Sequence, residues 1–174
     1  MTEPAPGIGG PFFWLRHGAL PVGHVEKAGN WGRIVHSIGM KHTFGPREVA
    51  FEAARKRLAP GAPSRLESAF VFPTIREARF YQSLPAHVSG KWNTTILYEV
   101  ELVDPQAVFH VTDWRLTTPD GPLREDWADP YWIGILAGQN IPTQYGGVTT
   151  IDQREILTLS DIRVTGVVPP NVVV

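Results

Sequence analysis

The sequence predicts a β-rich α+β domain. Three observations lead there. Helical stretches are few, with the best at 46–58 and a shorter one at 74–82. Short apolar runs of strand type are many. Glycine and proline, 17 and 16 of 174 residues, punctuate the chain from end to end, which favours short elements joined by turns.

The elements follow in order. Residues 1–11 hold three prolines and three glycines and predict a loose lead-in, with a single domain over 12–174. Phe12-Phe13-Trp14-Leu15 reads as a strand, ended by the polar break Arg16-His17-Gly18. Residues 20–45 carry glycines 23, 29, 32, 39 and 45 and predict loops and short strands rather than a helix. From Pro46 to Leu58 the signals agree on a helix. Proline suits the first turn, Glu48 lies early, Arg55, Lys56 and Arg57 lie late, and Ala50, Ala54 and Leu58 form a stripe. Pro60, Gly61 and Pro63 stop it. A strand at 67–72 then runs into a helix at 74–82, where Thr74 and Glu77 have capping-box spacing. Thr95–Leu102 alternates as a strand: Ile96, Tyr98, Val100 and Leu102 share one face, and Leu97, Glu99 and Glu101 the other. Asp104-Pro105 turns the chain into a strand at 107–112. Residues 113–150 are irregular, and such a length predicts a functional loop or short helices of its own. Strands at 155–159 and 162–168 predict a closing hairpin about Ser160-Asp161.

The totals narrow the function. Hydrophobic residues make up 43% and charged residues 19%, the balance of a globular domain rather than a disordered chain. A net charge of −1 does not predict a nucleic-acid or anionic-membrane surface, and leaves local basic clusters open. Cysteine is absent, so there is no disulfide framework and no thiolate chemistry. The acidic, proline-rich start lacks the pattern of a signal peptide, and no apolar run approaches the ~18 residues of a membrane span. The expectation is a cytoplasmic protein with no membrane partner, or an effector exported without a conventional signal. The six histidines show no metal-binding spacing, and phosphate-loop, dinucleotide-fold and nucleophile-elbow patterns are missing.

Several residues remain as candidates for chemistry. Gln153 and Glu155 lie on one face of a strand and put an amide beside a carboxylate. Gly29-Asn30-Trp31-Gly32-Arg33 sets an aromatic between glycines, where Trp31 stacks on a base with Arg33 near a phosphate, or simply anchors a turn. Trp127-Ala128-Asp129-Pro130-Tyr131-Trp132 forms either a loop for target recognition or a cover for the sheet.

Taken together, the run Leu15-Arg16-His17-Gly18, the Gly29–Arg33 loop, Pro63–Phe70, Leu97–Leu102, Tyr131-Trp132-Ile133-Gly134 and Gln153–Leu157 resembles bacterial ADP-ribosyltransferase-like domains, in a motif order similar to that of the rifamycin ADP-ribosyltransferases. The resemblance implies a split β-sheet core, NAD as substrate, and transfer of ADP-ribose to an acceptor: protein, nucleic acid or small molecule. It implies that Glu155 stabilises the ribosyl cation, that Gln153 helps place the acceptor, and that Ser68 supports Glu155. Phe70 is the counterpart of an aromatic that stacks on nicotinamide. Arg16 or His17 would anchor NAD, with Gly18 bringing a backbone amide close to the carboxamide. Two other outcomes fit the same resemblance: an NAD glycohydrolase toxin that uses water as acceptor, with an immunity or antitoxin partner, and a binding module that has lost catalysis.

Overall fold

The computed structural model describes residues 10–39, 44–84, 95–117, 126–134 and 153–170. It is an α+β fold of two antiparallel sheets and a few helices. The strands are β1 (Phe12–His17), β2 (Val25–Glu26), β3 (Ala69–Val71), β4 (Thr95–Leu102), β5 (Phe109–Asp113), β6 (Arg154–Thr158) and β7 (Ile162–Val167). The helices are α1 (Asn30–Ile38), α2 (Gly45–Leu58), α3 (Ile75–Gln82) and α4 (Asp129–Trp132), with a 3₁₀ turn at Trp114–Thr117. One sheet has the order β1-β4-β7-β2 and the other β3-β6-β5. Phe13 and Phe72 bridge the two, exchanging backbone hydrogen bonds of 2.9 and 2.8 Å. Among the described residues no helix is long and apolar enough to cross a membrane.

Strand alternation sorts side chains into three cores. Phe12, Tyr98, Val100, Ile162 and Val164 of the first sheet meet Val71 and Ile156 of the second. The opposite parity sends Leu157 and Phe70 against α2 and α4, where Phe51 is fully buried beneath Tyr131 and Trp132. Full burial of one such ring stabilises by about 1.5–3 kcal/mol. Phe13 and Leu97 turn to the other side of the first sheet and pack with Ala78 of α3 and with Trp114. The face division expected for β4 is therefore present, with a register shift between Glu99 and Val100.

Three local expectations are corrected. Residues 30–38 form helix α1, because the glycines serve it. Gly29 caps its start at φ 81°, Gly39 follows its end at φ 63°, and Gly32 lets it seat on the next segment. A Cβ on Gly32 would lie 1.9 Å from the carbonyl oxygen of Leu66. On α2 the inward face is Glu48, Phe51 and Ala54, and Leu58 is exposed, so the stripe through Ala50, Ala54 and Leu58 is rotated from the true one. At α3 the Thr74–Glu77 capping pair forms as expected. The Glu77 amide donates to the Thr74 hydroxyl at 3.2 Å, that hydroxyl donates to Glu77 Oε2 at 2.6 Å, and the same carboxylate also accepts from the Arg154 amide and guanidinium at 3.1, 2.7 and 3.2 Å.

The third correction concerns the close of the chain. β6 and β7 do not pair; they lie in different sheets. Their short link is occupied by other segments. The Ser160 hydroxyl accepts from the Asp104 amide at 2.9 Å, and Asp161 accepts from the Ala28 amide at 3.0 Å and Lys27 Nζ at 2.6 Å. These ties carry the chain across from one sheet to the other. Of the irregular stretch 113–150, the 3₁₀ turn and α4 are short helices, as one of the two expectations had it; 118–125 and 135–150 lie outside the described residues.

Candidate active site

Glu155 is the second residue of β6 and shares a face with Leu157, so its side chain turns toward α2 and α4. There it meets Arg65, which sits in the turn after α2. Arg65 Nε donates to Glu48 Oε2 at 2.9 Å and its Nη2 to Glu48 Oε1 at 3.5 Å. Its Nη1 donates to Glu155 Oε1 at 3.2 Å and to the Tyr131 hydroxyl. That hydroxyl in turn donates to Glu155 Oε1 at 2.7 Å. The rings of Phe51, Phe70 and Tyr131 enclose the guanidinium at 4.9, 5.0 and 5.0 Å. All three nitrogens of Arg65 are thus engaged, and Glu155 is held from two sides through one oxygen. Its Oε2 receives no hydrogen bond among the described residues.

The charges are balanced by contact. Burial disfavours a charged Arg65, but Tyr131, Glu48 and Glu155 outweigh it and raise its pKa. Glu48 is 2% exposed. Burial pushes its carboxyl up, yet Arg65 and then Arg47 pull it net below the usual carboxylate range. Burial, with help from the Glu155 charge, lifts the Tyr131 phenol well above its ordinary value despite Arg65, so it stays a donor. Burial lowers the pKa of His110, whose ring stacks on Trp132 behind this group at 5.2 Å.

Glu155 and Arg65 form one end of a cleft of about 360 Å³. Trp14 and Leu15 line it from β1, Trp31 from α1, and Phe44 and Arg47 from the start of α2. Phe70, Phe72, Tyr81, Trp114 and Thr117 complete it. This volume lies within the range of small-molecule sites, and the lining has their usual character, apolar with a few polar groups. Chemically, the arrangement suits a flat aromatic group next to an atom that develops positive charge.

Of the residues singled out by sequence, Glu155, Trp31 and Phe70 line this one cleft. The others do not. Arg16 lies two residues past Trp14, with its guanidinium 5.5 Å from that ring and its Nη1 on Glu26 Oε2. Arg16 thus lies outside the residues that line the cleft. His17 ends β1 opposite Thr95, and Gly18, at φ 80°, offers its carbonyl to the Tyr98 hydroxyl at 3.0 Å. Arg33 folds back on its own loop, donating to the carbonyls of Ala28 and Lys27 at 2.9 and 3.2 Å. Ser68 is buried and donates to the Ser64 carbonyl at 2.6 Å, so it ties the turn rather than touching Glu155. Gln153 is fully buried and off the cleft, and its amide has no hydrogen-bond partner among the described residues.

The support of Glu155 therefore comes from Arg65 and Tyr131, which sequence reasoning passed over. Period-two logic picks residues from strands, and Arg65 lies in a turn three positions before Ser68. Glu48 reads as a helix-dipole acid until its spacing to the buried Phe51 is weighed, which puts it on the inward face. Tyr131 belongs to the aromatic run left open between target recognition and sheet cover; α4 covers, and its tyrosine hydroxyl joins the site.

No protein-family model matches the chain, and no curated protein matches it.

Proposed function

We propose that the cleft binds NAD and that the protein is an NAD-dependent mono-ADP-ribosyltransferase, on an ADP-ribosyltransferase-like core. One observation carries the reading: a carboxylate, fixed through one oxygen by an arginine and a tyrosine, borders an aromatic-walled cleft and has no donor on its other oxygen among the described residues. Heterolysis of the nicotinamide–ribose bond sends the electron pair out with nicotinamide and leaves positive charge on the ribose. A carboxylate positioned in advance stabilises that charge with little reorganisation. The acceptor then gives a lone pair to the anomeric carbon and loses its proton to solvent. Trp31 and Phe70 offer faces for the flat rings of the dinucleotide. Ser68 and Gln153 have no part in this scheme, since neither lines the cleft.

Nicotinamide release from NAD tests the reading directly. Glu155→Gln keeps an oxygen acceptor for Arg65 and Tyr131 but removes the charge. Release is expected to fall by about 100-fold or more, the scale of losing a transition-state electrostatic contact, while circular dichroism and unfolding midpoint stay near wild type. Unchanged release in the variant, or none from wild type, defeats the proposal. Release without any added acceptor assigns water that role. NAD binding without release, seen as a thermal shift worth about 2.7 kcal/mol at 100 times the dissociation constant, assigns a binding module instead.

A further inference from the structure

Arg47 and Arg65 share one carboxylate but not one condition. Arg65 spends every nitrogen on protein partners and is compensated by both Glu48 and Glu155. Among the described residues Arg47 has an edge of Glu48, Nη2 to Oε1 at 3.0 Å, and a long 3.4 Å contact from Nη1 to the Thr117 carbonyl. Its Nε is buried with no hydrogen-bond partner among the described residues, although its side chain lines the cleft and keeps 15% exposure. Its guanidinium lies 4.1 Å from the Phe44 ring, which itself faces Trp31 at 6.2 Å. Burial and the neighbouring Arg65 both work against its charge, with Glu48 opposing them only in part. An undercompensated cation that lines the cleft beside two rings is the complement of an anion attached to an aromatic base.

From this we infer that Arg47 is the anion-binding residue of the cleft, taking a phosphate or diphosphate of a nucleotide, in the place sequence reasoning gave to Arg16 or His17. The choice of a dinucleotide diphosphate rests on the NAD reading; the anion site itself does not. A planar guanidinium donates to phosphate oxygens in fixed directions, which a lysine ammonium does not reproduce.

Titration calorimetry with NAD, nicotinamide riboside and inorganic pyrophosphate tests the assignment. Arg47→Met keeps the apolar stem over Phe44 and removes the charge; Arg47→Lys restores charge without the fork and serves if the methionine variant fails to fold. The methionine variant is expected to bind NAD about 10-fold or more weakly, the loss of one charge-assisted contact. The lysine variant falls between it and wild type, and both bind nicotinamide riboside within about 2-fold of wild type, since that ligand has no phosphate to lose. Equal loss for NAD and the riboside overturns the inference, as general damage to the cleft. Unchanged NAD binding in both variants, with a loss in Arg16→Gln, also overturns it and returns the anchor to β1. Arg47-dependent binding of pyrophosphate by a protein that takes neither NAD nor the riboside upholds the anion site and defeats the NAD reading. A wild-type protein that binds none of the three overturns the inference.

Discussion

At the end of β1, Arg16 pairs with Glu26, and the arginine side chain keeps 35% exposure. On the floor of the cleft, Arg65 pairs with Glu48, and the two keep 8% and 2%. The residue types are the same, and the physics differs. Water reaches and screens the arginine of the first pair, although Glu26 keeps only 13% exposure, so the contact belongs nearer to surface pairs, which contribute about 0–1 kcal/mol, than to buried ones. The second pair has given up its hydration and relies on close partners instead. Forming it from water gains little net energy, but breaking it strands a charge where nothing replaces the partner. The buried pair is thereby a device for holding Glu155 in one orientation, and the outer pair is a minor brace between strands.

The largest expected effect tests that difference at its centre. Arg65→Met removes the cation that Glu48 and Glu155 share, leaving Glu48 with Arg47 alone, and the loss is expected at about 3–5 kcal/mol in urea unfolding. A loss below about 1 kcal/mol would place Arg65 in the same class as Arg16. Acid comes next. Because Arg65 and Arg47 depress the folded-state pKa of Glu48 below its unfolded value, its contribution is complete above the ordinary carboxylate pKa. That contribution disappears as pH falls through the depressed value. Burial of neutral His110 adds stability loss in the same direction, since the unfolded chain takes up that proton at higher pH than the folded one. Thermal midpoints measured from neutral pH downward should drop in wild type, with a shallower slope in Glu48→Gln; parallel slopes would remove Glu48 from the acid response. The smallest effect belongs to Arg16→Gln. It is expected to cost under about 1 kcal/mol, to fade further in high salt, and to leave nicotinamide release unaltered. A larger cost in thermal unfolding would make the outer pair more than a brace.

Legibility followed the kind of signal each element carries. α2 and β4 were plain because proline, charge order and alternation act locally and agree. The boundaries of β4 fell as expected at Thr95 and Leu102. α1 was hidden because glycine reads as a helix breaker unless the opposing surface is known; Gly32 is there to clear the Leu66 carbonyl, a contact 34 residues distant that no window reveals. The β6–β7 hairpin was misread because a short link normally joins neighbours, and what diverts this one is a set of side-chain ties to Lys27, Ala28 and Asp104. In the site, Glu155 was found through strand alternation, and Trp31 through its placement between glycines. Arg65, Glu48 and Tyr131 were not, because a buried ion network is assembled from a turn and two helices and leaves no spacing rule behind.

The clearance at Gly32 also sets a limit on redesign. Trp31 precedes that glycine and Arg65 precedes Leu66, so an aromatic wall and the charged floor of the cleft are referenced to a single peptide carbonyl. Sliding the helix to admit a bulkier guest would drag the tryptophan without the arginine and spoil the seat. Enlargement by trimming a ring, such as Phe72 or Tyr81, leaves that datum untouched and is the direction in which the aperture can be tuned.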